Sequence, residues 1–501
     1  MQYDVMIAGG GLGGLVCAGI LAQEGMSVCV VEKNNQLGGA LQSFRRDRCT
    51  FDTSVHYIGG LGEGQTLNRL FRYLNILPDL RLRKYDDDGF DHILFKGDPV
   101  EYRLAQGYTN FIKKLTEYFP REKAAIQKYC DDIRYICRQF PMYNLNAADG
   151  YGDTAAMHIN TRDYLSSLTQ NKKLQNVLAG NILLYAGKPE STPLHVHALV
   201  INSYIESSWK CIDGSDHIIK LLIRNIKRAG GHIIKGNAVV GLVASGNNLT
   251  HAILENGEHI HARNFISGMH PLQMLQMVDS PLIRPAFRKR LASLENTPSA
   301  FLVYVAMKKN TFPYRNYNLY VYNTSDVWQT MRYRPEEWPA SYAIFYNGIP
   351  ENETYTDGLA LMTYMHYDEV KYWENTVHTT RIPQSRGSEY ENFKNQRAEK
   401  LIEDAATVLP ELRHCISAYH TASPLSFRDY TGSPQGSMYG FLKDCTDPMK
   451  TLIPVRTKIP NLLLTGQNLN LHGVLGVAIS AVVTCAELIG KEYLLNKIKN
   501  A

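Results

Sequence analysis

The sequence predicts an α/β fold in which a parallel, nucleotide-binding sheet is assembled from distant parts of the chain and a mixed α+β domain fills the gaps. Three observations predict it. A strand, a glycine turn, a helix and a second strand follow one another within residues 3–32. A glycine-marked strand and helix, "LTGQNLNLHGVLGVAIS", return at Leu464–Ser480, and 501 residues exceed what one hydrophobic core usually covers.

The first strand is "YDVMIA", Tyr3–Ala8, and "GGGLGG" follows it at once, with Gly9, Gly11 and Gly14 in GxGxxG spacing. Leu12–Gln23 reads as a helix of small and aliphatic residues ended by Gly25, and Ser27–Val31 as a second strand closing on Glu32. Such a Rossmann-like unit needs one glycine for the turn, one where the backbone meets a pyrophosphate and one where helix meets strand. The helix N-terminus supplies free N–H groups, and the carboxylate of Glu32 accepts from ribose hydroxyls. An adenosine-containing dinucleotide is expected there.

A second glycine pair, Gly38-Gly39, follows the ribose position. It is either a plain turn or the second close approach to the dinucleotide used by large FAD oxidoreductases, and the residues alone leave both open. Further on, "IIKLLIRNIKR" at Ile218–Arg228 has one apolar and one basic face and ends at Gly230-Gly231. His232–Lys235, Ala238–Ala244 and Thr250–Leu254 then read as short strands. Tyr108–Phe140 and Arg162–Asn181 have helical spacing, whereas Phe301–Met307 and Tyr317–Asn323 read as strands in a region rich in Tyr and Phe. Asn461–Thr465 reads as a last parallel strand, and a helix starts at Gly473–Gly476.

Composition excludes several classes. Apolar residues at 44% and charged residues at 20% describe a folded protein, and a net charge of +5 without a basic block argues against nucleic acid. Nine cysteines without a CxxC pair point to reduced thiols and a cytoplasmic setting. Val5–Leu21 and Gly473–Gly490 fall short of the ~20 residues of a membrane span. His195 and His197 stand on one side of an expected strand without acidic or thiolate companions, so no metal site is expected.

With "FDTSVHYIGG" at Phe51–Gly60 added, the sequence resembles the phytoene desaturase, carotenoid isomerase and retinol saturase family of FAD-dependent oxidoreductases. Gly230–Pro271, Ser423–Gly440 and Leu462–Gly490 continue the likeness; it is weakest over 75–205 and 310–420. Ser54 stands where relatives often have glycine. Ala40 stands where amine oxidases tend to have arginine, which argues against that branch.

The resemblance implies FAD in a glutathione-reductase-like domain of residues 1–80, 206–290 and 430–501, with 81–205 and 291–429 forming the substrate domain. The N-terminal cofactor residues it implies are Gly9, Gly11, Leu12, Gly13, Gly14, Glu32, Lys33, Gly38, Gly39 and Ala40. Val239 and Val240 come from the middle of the chain, and Gly466, Gln467, Gly473, Val474, Gly476 and Val477 from its end. The helix that starts at Gly473 is expected to face the flavin. No second GxGxxG unit exists, so no separate nicotinamide domain is expected.

The activity implied is desaturation, saturation or isomerisation of a carbon–carbon bond in an apolar isoprenoid by hydride exchange at flavin N5, with peripheral membrane contact following from such a substrate. Acid–base candidates are His56, His270, Asp429 and Tyr439, with His56 favoured by its motif. The alternatives are a flavin amine oxidase and a prenyl-protein binding module of the GDP dissociation inhibitor type.

Overall fold

The computed structural model describes residues 2–147, 154–347 and 354–501. Its first sheet grows from the N-terminal unit. β1 (Gln2–Ala8) buries Val5, Met6 and Ile7 completely, and α1 (Leu12–Gln23) follows across the glycine turn. β2 (Val28–Glu32) returns parallel to β1 with Val5 opposite Val28. Small and aliphatic residues surround α1 on every side, so it has no polar stripe and is enclosed. Gly14 permits this packing, because a Cβ there would fall on the Gly9 carbonyl oxygen.

The rest of the sheet arrives from far along the chain. Two helices, α2 (Leu194–Glu206) and α3 (Asp216–Arg228), lead back to β3 (His232–Lys235), which pairs parallel with β2. β4 (Val239–Ser245), β5 (Asn248–Leu254) and β6 (His259–Ser267) form an antiparallel meander. β6 lies parallel to β1, from Gln2 opposite His261 to Ala8 opposite Ser267. Finally β7 (Leu462–Leu464) lies parallel to the end of β6, Phe265 opposite Leu462, and α4 (Gly473–Ile489) packs on α1. The order is β3-β2-β1-β6-β5-β4, with β7 also on β6.

A second sheet runs Ile416–Ala422, Ser299–Met307, Gly358–Met365, Ser341–Tyr346, Asn318–Tyr322, Asp91–Phe95, Tyr102–Leu104. Its pairings are antiparallel except Asn318–Tyr322 with Asp91–Phe95. The four strands from Ser299–Met307 to Asn318–Tyr322 are buried throughout. One face joins the main core, and the other packs on a cluster containing Trp338 and residues of the helix Ser388–Val408.

His195 and His197 correct one expectation: they lie on helix α2, not on a strand. Val196, Val200 and Ile201 gave the run a strand-like composition. Burial on nearly every side of this 13-residue element hides its helical period. Tyr108–Phe140 is two helices, Tyr108–Tyr118 and Lys123–Arg138, parted at Pro120, where the ring removes a backbone donor. The nine cysteines are free and buried. Among the described residues no helix is long and apolar enough to cross a membrane.

Candidate functional site

The turn between β1 and α1, the Gly38-Gly39 turn and the segment from β7 into α4 enclose a cleft with about 1790 Å³ free of atoms. Backbone hydrogen bonds shape it: Gly9 N–H donates to Val31 O (2.9 Å) and Gly38 N–H to Gly10 O (2.8 Å). Glu32 sits at the base, its Oε2 accepting from Gly10 N–H (2.8 Å) and its Oε1 from Asn34 N–H (2.9 Å). Burial pushes the Glu32 carboxyl above the usual range, and those two donors pull the other way. Both oxygens retain lone pairs for a ribose.

The cleft fits a dinucleotide on its own geometry. A Cβ on Gly11 would meet nothing within 4 Å, nor would one on Gly473 at φ +75°, so both glycines border open space where a ligand's atoms can lie against backbone. Gly13 meets Gly466 backbone, where a Cβ would come within 3.3 Å, and this joins the two halves of the site. Every cofactor residue assigned from the sequence lines the cleft except Val240 and Gly476. Strand alternation turns Val239 inward, 5% exposed, and Val240 outward, 51% exposed. Gly476 instead packs against Leu471, where a Cβ would lie 2.8 Å from backbone. Sequence reasoning missed Ser437, Met438 and Asn468 as lining residues, although "GSMYG" and "TGQN" lay beside the motifs it used.

A second chamber, about 850 Å³, opens against the cleft at Ser54, Val55, Tyr439, Gly473 and Val474. Its walls come from α2 (Leu199, Ser203, Tyr204), from the second sheet (Phe345, Met362) and from Tyr57, Tyr143, Leu471 and His472. Among the described lining residues none is Asp, Glu, Lys or Arg. A third cavity, about 1590 Å³ and lined partly by Arg46, Arg386 and Lys394, meets the cleft at Gly39, Ala40 and Ser54. Ser54 thus borders all three spaces.

The acid–base candidates separate here. His56 lines the chamber, stacked on Phe345 with ring centroids 4.3 Å apart, and its Nε2 has no partner among the described residues. Burial, aided by the Lys210 charge, pulls it down to about 3, so it is a neutral ring. His472 donates through Nε2 to Leu184 O (2.9 Å), and burial brings it to about 4. His270 caps the helix Pro271–Met277, accepting from Leu272 N–H, and is held by Asn296. Asp429 is a buried ion-pair partner of Arg386 and Arg428. Tyr439 borders both spaces, but its hydroxyl donates to Leu183 O (2.8 Å).

Tyr57 differs from the other wall hydroxyls with a described partner. Tyr143, Ser203 and Tyr439 donate to backbone carbonyls. Tyr57 instead donates to the Asp91 carboxyl (2.8 Å) and touches Tyr320 Oη (2.6 Å). Asp91 is fully buried, also receives Asn181 and Asn318, and is pushed up by burial to about 7.

Comparison with known proteins matches residues 12–489 to the family described as flavin containing amine oxidoreductase. All-trans-retinol 13,14-reductase of Macaca fascicularis is 26% identical, covering 100% of this chain and 87% of that protein. Prolycopene isomerase 1 of an Oncidium hybrid cultivar is 22% identical over 99% of this chain and 85% of its own. A solved structure of a putrescine oxidase variant superposes with a TM-score of 0.63 at 14% identity, over 98% of this chain and 99% of that one.

Proposed function

Given that this chain belongs to the flavin containing amine oxidoreductase family and is an FAD-dependent oxidoreductase, we propose that it saturates or isomerises a carbon–carbon double bond in an apolar isoprenoid polyene. The observation that carries the reading is the uncharged, aromatic-walled chamber beside the dinucleotide cleft. Flat rings and aliphatic side chains pack against a polyene. An ammonium substrate would find no carboxylate there, which sets the amine oxidase reading aside. Intact Gly11 and Glu32, in a cleft of dinucleotide size, do the same for a prenyl-binding module without cofactor. The retinol reductase and prolycopene isomerase relatives, named for reactions on conjugated chains, support the same choice.

We place the cofactor in a Rossmann-like body of 1–80, 206–290 and 430–501, and the substrate against 81–205 and 291–429. Bound FAD supplies hydride chemistry at the flavin. The chain's own residues do the rest. Glu32 would hold the ribose and the N-terminal end of α4 would present positive dipole to the ring, while the leucine and aromatic walls exclude water and align the polyene. Saturation also needs a proton on the neighbouring carbon. Tyr57 is placed to deliver it and Asp91 to replace it, because that pair joins a chamber hydroxyl to an ionisable group.

The test is anaerobic mixing of chemically reduced holoprotein with all-trans-retinol or a cis-carotene. Flavin reoxidation with a product two hydrogens heavier shows saturation, and a rearranged product of unchanged mass shows isomerisation. Rapid reduction of oxidised holoprotein by primary amines, with no response to either polyene, would sink the proposal.

A further inference from the structure

Asp429 has no part in the proton transfer above, and its bonds lead elsewhere. Its Oδ2 accepts from His378 N–H (2.7 Å) and pairs with Arg386, while Arg428 pairs with Oδ1 (2.6 Å) and donates onward to the carbonyls of Glu374 and Thr376. Beside it, Tyr430 Oη accepts from Thr380 N–H (3.1 Å). Three successive residues of the helix Pro424–Thr431 thus hold the segment 374–386 at both roots and along its length.

This segment is a strap on the third cavity. His378, Thr380, Gln384 and Ser385 line that cavity from the strap, and Phe44, Tyr304 and Phe427 give it aromatic walls. The strap has little packing of its own: Thr379 is its one buried residue, Val377 and Ile382 are 39% and 46% exposed, and an isolated bridge joins His378 to Pro383. Lifting it removes few apolar contacts, so the polar ties decide its position. Gly387, at φ +86°, follows the root at Arg386 and supplies a joint.

The chamber needs a way in. Apart from Gly473, which also lines the cleft, no residue of its wall is exposed, whereas Arg46, Gln384 and Ser385 on the third cavity are. The third cavity meets the cleft at Ser54, which is also in the chamber wall. With FAD in the cleft, it is placed to join chamber and surface. The ion pair suits a latch. The side chains of Asp429 and Arg386 are 2% and 5% exposed, and a charge left alone at such a site is costly. When the strap lifts, Arg428 stays beside Asp429 on the helix and Arg386 moves to water, so neither charge is stranded.

We propose that residues 376–386 are a gate over the third cavity, that Asp429 is its latch, and that the polyene passes beneath it to Ser54 and the chamber. The gate rests on the place of FAD in the cleft, and its cargo on the polyene reading above.

The test uses the FAD-loaded protein. In stopped-flow mixing with all-trans-retinol, a gate makes the observed binding rate level off as ligand concentration rises, at the rate of opening. Asp429→Asn keeps an acceptor for His378 N–H and removes the charge that holds Arg386; Arg386→Gln loosens the same tie from the strap. Each is expected to raise the association and dissociation rates by about tenfold or more and to leave the dissociation constant within about threefold, because a gate changes access and not the bound state. A wild-type rate that stays linear in retinol, or variants that lose affinity with association unchanged, overturns the gate. Acrylamide quenching of the bound flavin's fluorescence reads the same opening without a polyene: it is expected to rise about threefold or more in either variant, and an unchanged quenching constant overturns the gate. Retinol that fails to bind the wild type sinks the polyene reading, and the quenching comparison still decides the gate. Where a variant fails to fold, the concentration dependence of the wild type decides it.

Discussion

At the scale of single residues, Asp91 separates a chemical role from a structural one. Its carboxyl is pushed to about 7 by burial, so it holds its proton at neutral pH and below, where a solvent-exposed aspartate would not. If Tyr57 passes that proton on, the saturation rate falls as pH rises through about 7. Asp91→Asn keeps the volume and the Tyr57 contact, but removes the titrating group. It is expected to lower the rate by about 10²-fold or more, in line with loss of a general acid, and to flatten the limb near pH 7. A pH–rate profile of both proteins checks this, and an unchanged alkaline limb in the variant would count against the relay. His56, favoured by its motif in the sequence, lies stacked on Phe345 with its Nε2 unpartnered among the described residues, and there it offers a flat wall to a polyene. A motif names the loop that approaches the flavin, but which side chain has an ionisable neighbour depends on strands remote in sequence. Asp91 is one such case, 34 positions from Tyr57.

At the scale of elements, the turn from β1 into α1 contains glycines with separate duties. Gly14 is fixed by packing and Gly11 by ligand space, so their variants part company. Gly14→Ala drives a methyl into the Gly9 carbonyl and is expected to cost about 3 kcal/mol, read as a lower urea midpoint. Gly11→Val has an ordinary backbone, φ −73°, and open space for its side chain. It is expected to leave the apoprotein's melting temperature within about 3 °C, a sub-kcal/mol change, while FAD content drops at least tenfold. Equal loss of fold in both variants would show that the space before Gly11 is not a ligand's. This turn and Glu32 were legible in the sequence from their spacing, and the Gly38-Gly39 turn and the β7–α4 return from the family resemblance. The chamber was not. Leu199 and Ser203 sit on a helix whose burial on all sides erased its period, and Phe345 and Met362 reach the site through sheet pairings that no local pattern reports. Asn468 and Ser437 stood beside recognised motifs, yet nothing in their residue type marks them as lining a cleft.

Across the whole molecule, burial of neutral imidazoles ties stability to pH. His56, His195 and His197 are lowered to about 3 and His270 to about 4, all 8% exposed or less. His472 is more open to the chamber and counts for less. A lowered histidine contributes stability that is fully present above its unfolded value of 6.5 and is lost as pH falls, because the unfolded chain takes protons that the fold refuses. Asp91 acts in the opposite sense between about 7 and its ordinary carboxylate value, and Asp52, Glu32 and Glu206, also raised by burial, act with it, so the four histidine protons are partly offset. At about 1.4 kcal/mol per proton and pH unit, a net excess of about one to three protons lowers stability by about 1–4 kcal/mol for each unit below 6.5. Against a total of about 5–15 kcal/mol, acid unfolding is expected within a few units of that point. Urea midpoints by circular dichroism at pH 7.5, 6.5 and 5.5 check it, and equal midpoints would show that the histidines gain compensating partners on protonation. The pairing of β7 with β6 has a consequence for synthesis on the ribosome. The nucleotide-type sheet starts with β1, but the backbone that completes the cleft lies at 466–477, so the two halves of the cleft meet only after the long stretch of chain between them has been made. Such long sequence separation makes folding slow and leaves apolar strand edges waiting. Closure of the cleft is then a late step of folding, and chains cut short before α4 are expected to lack one wall of it.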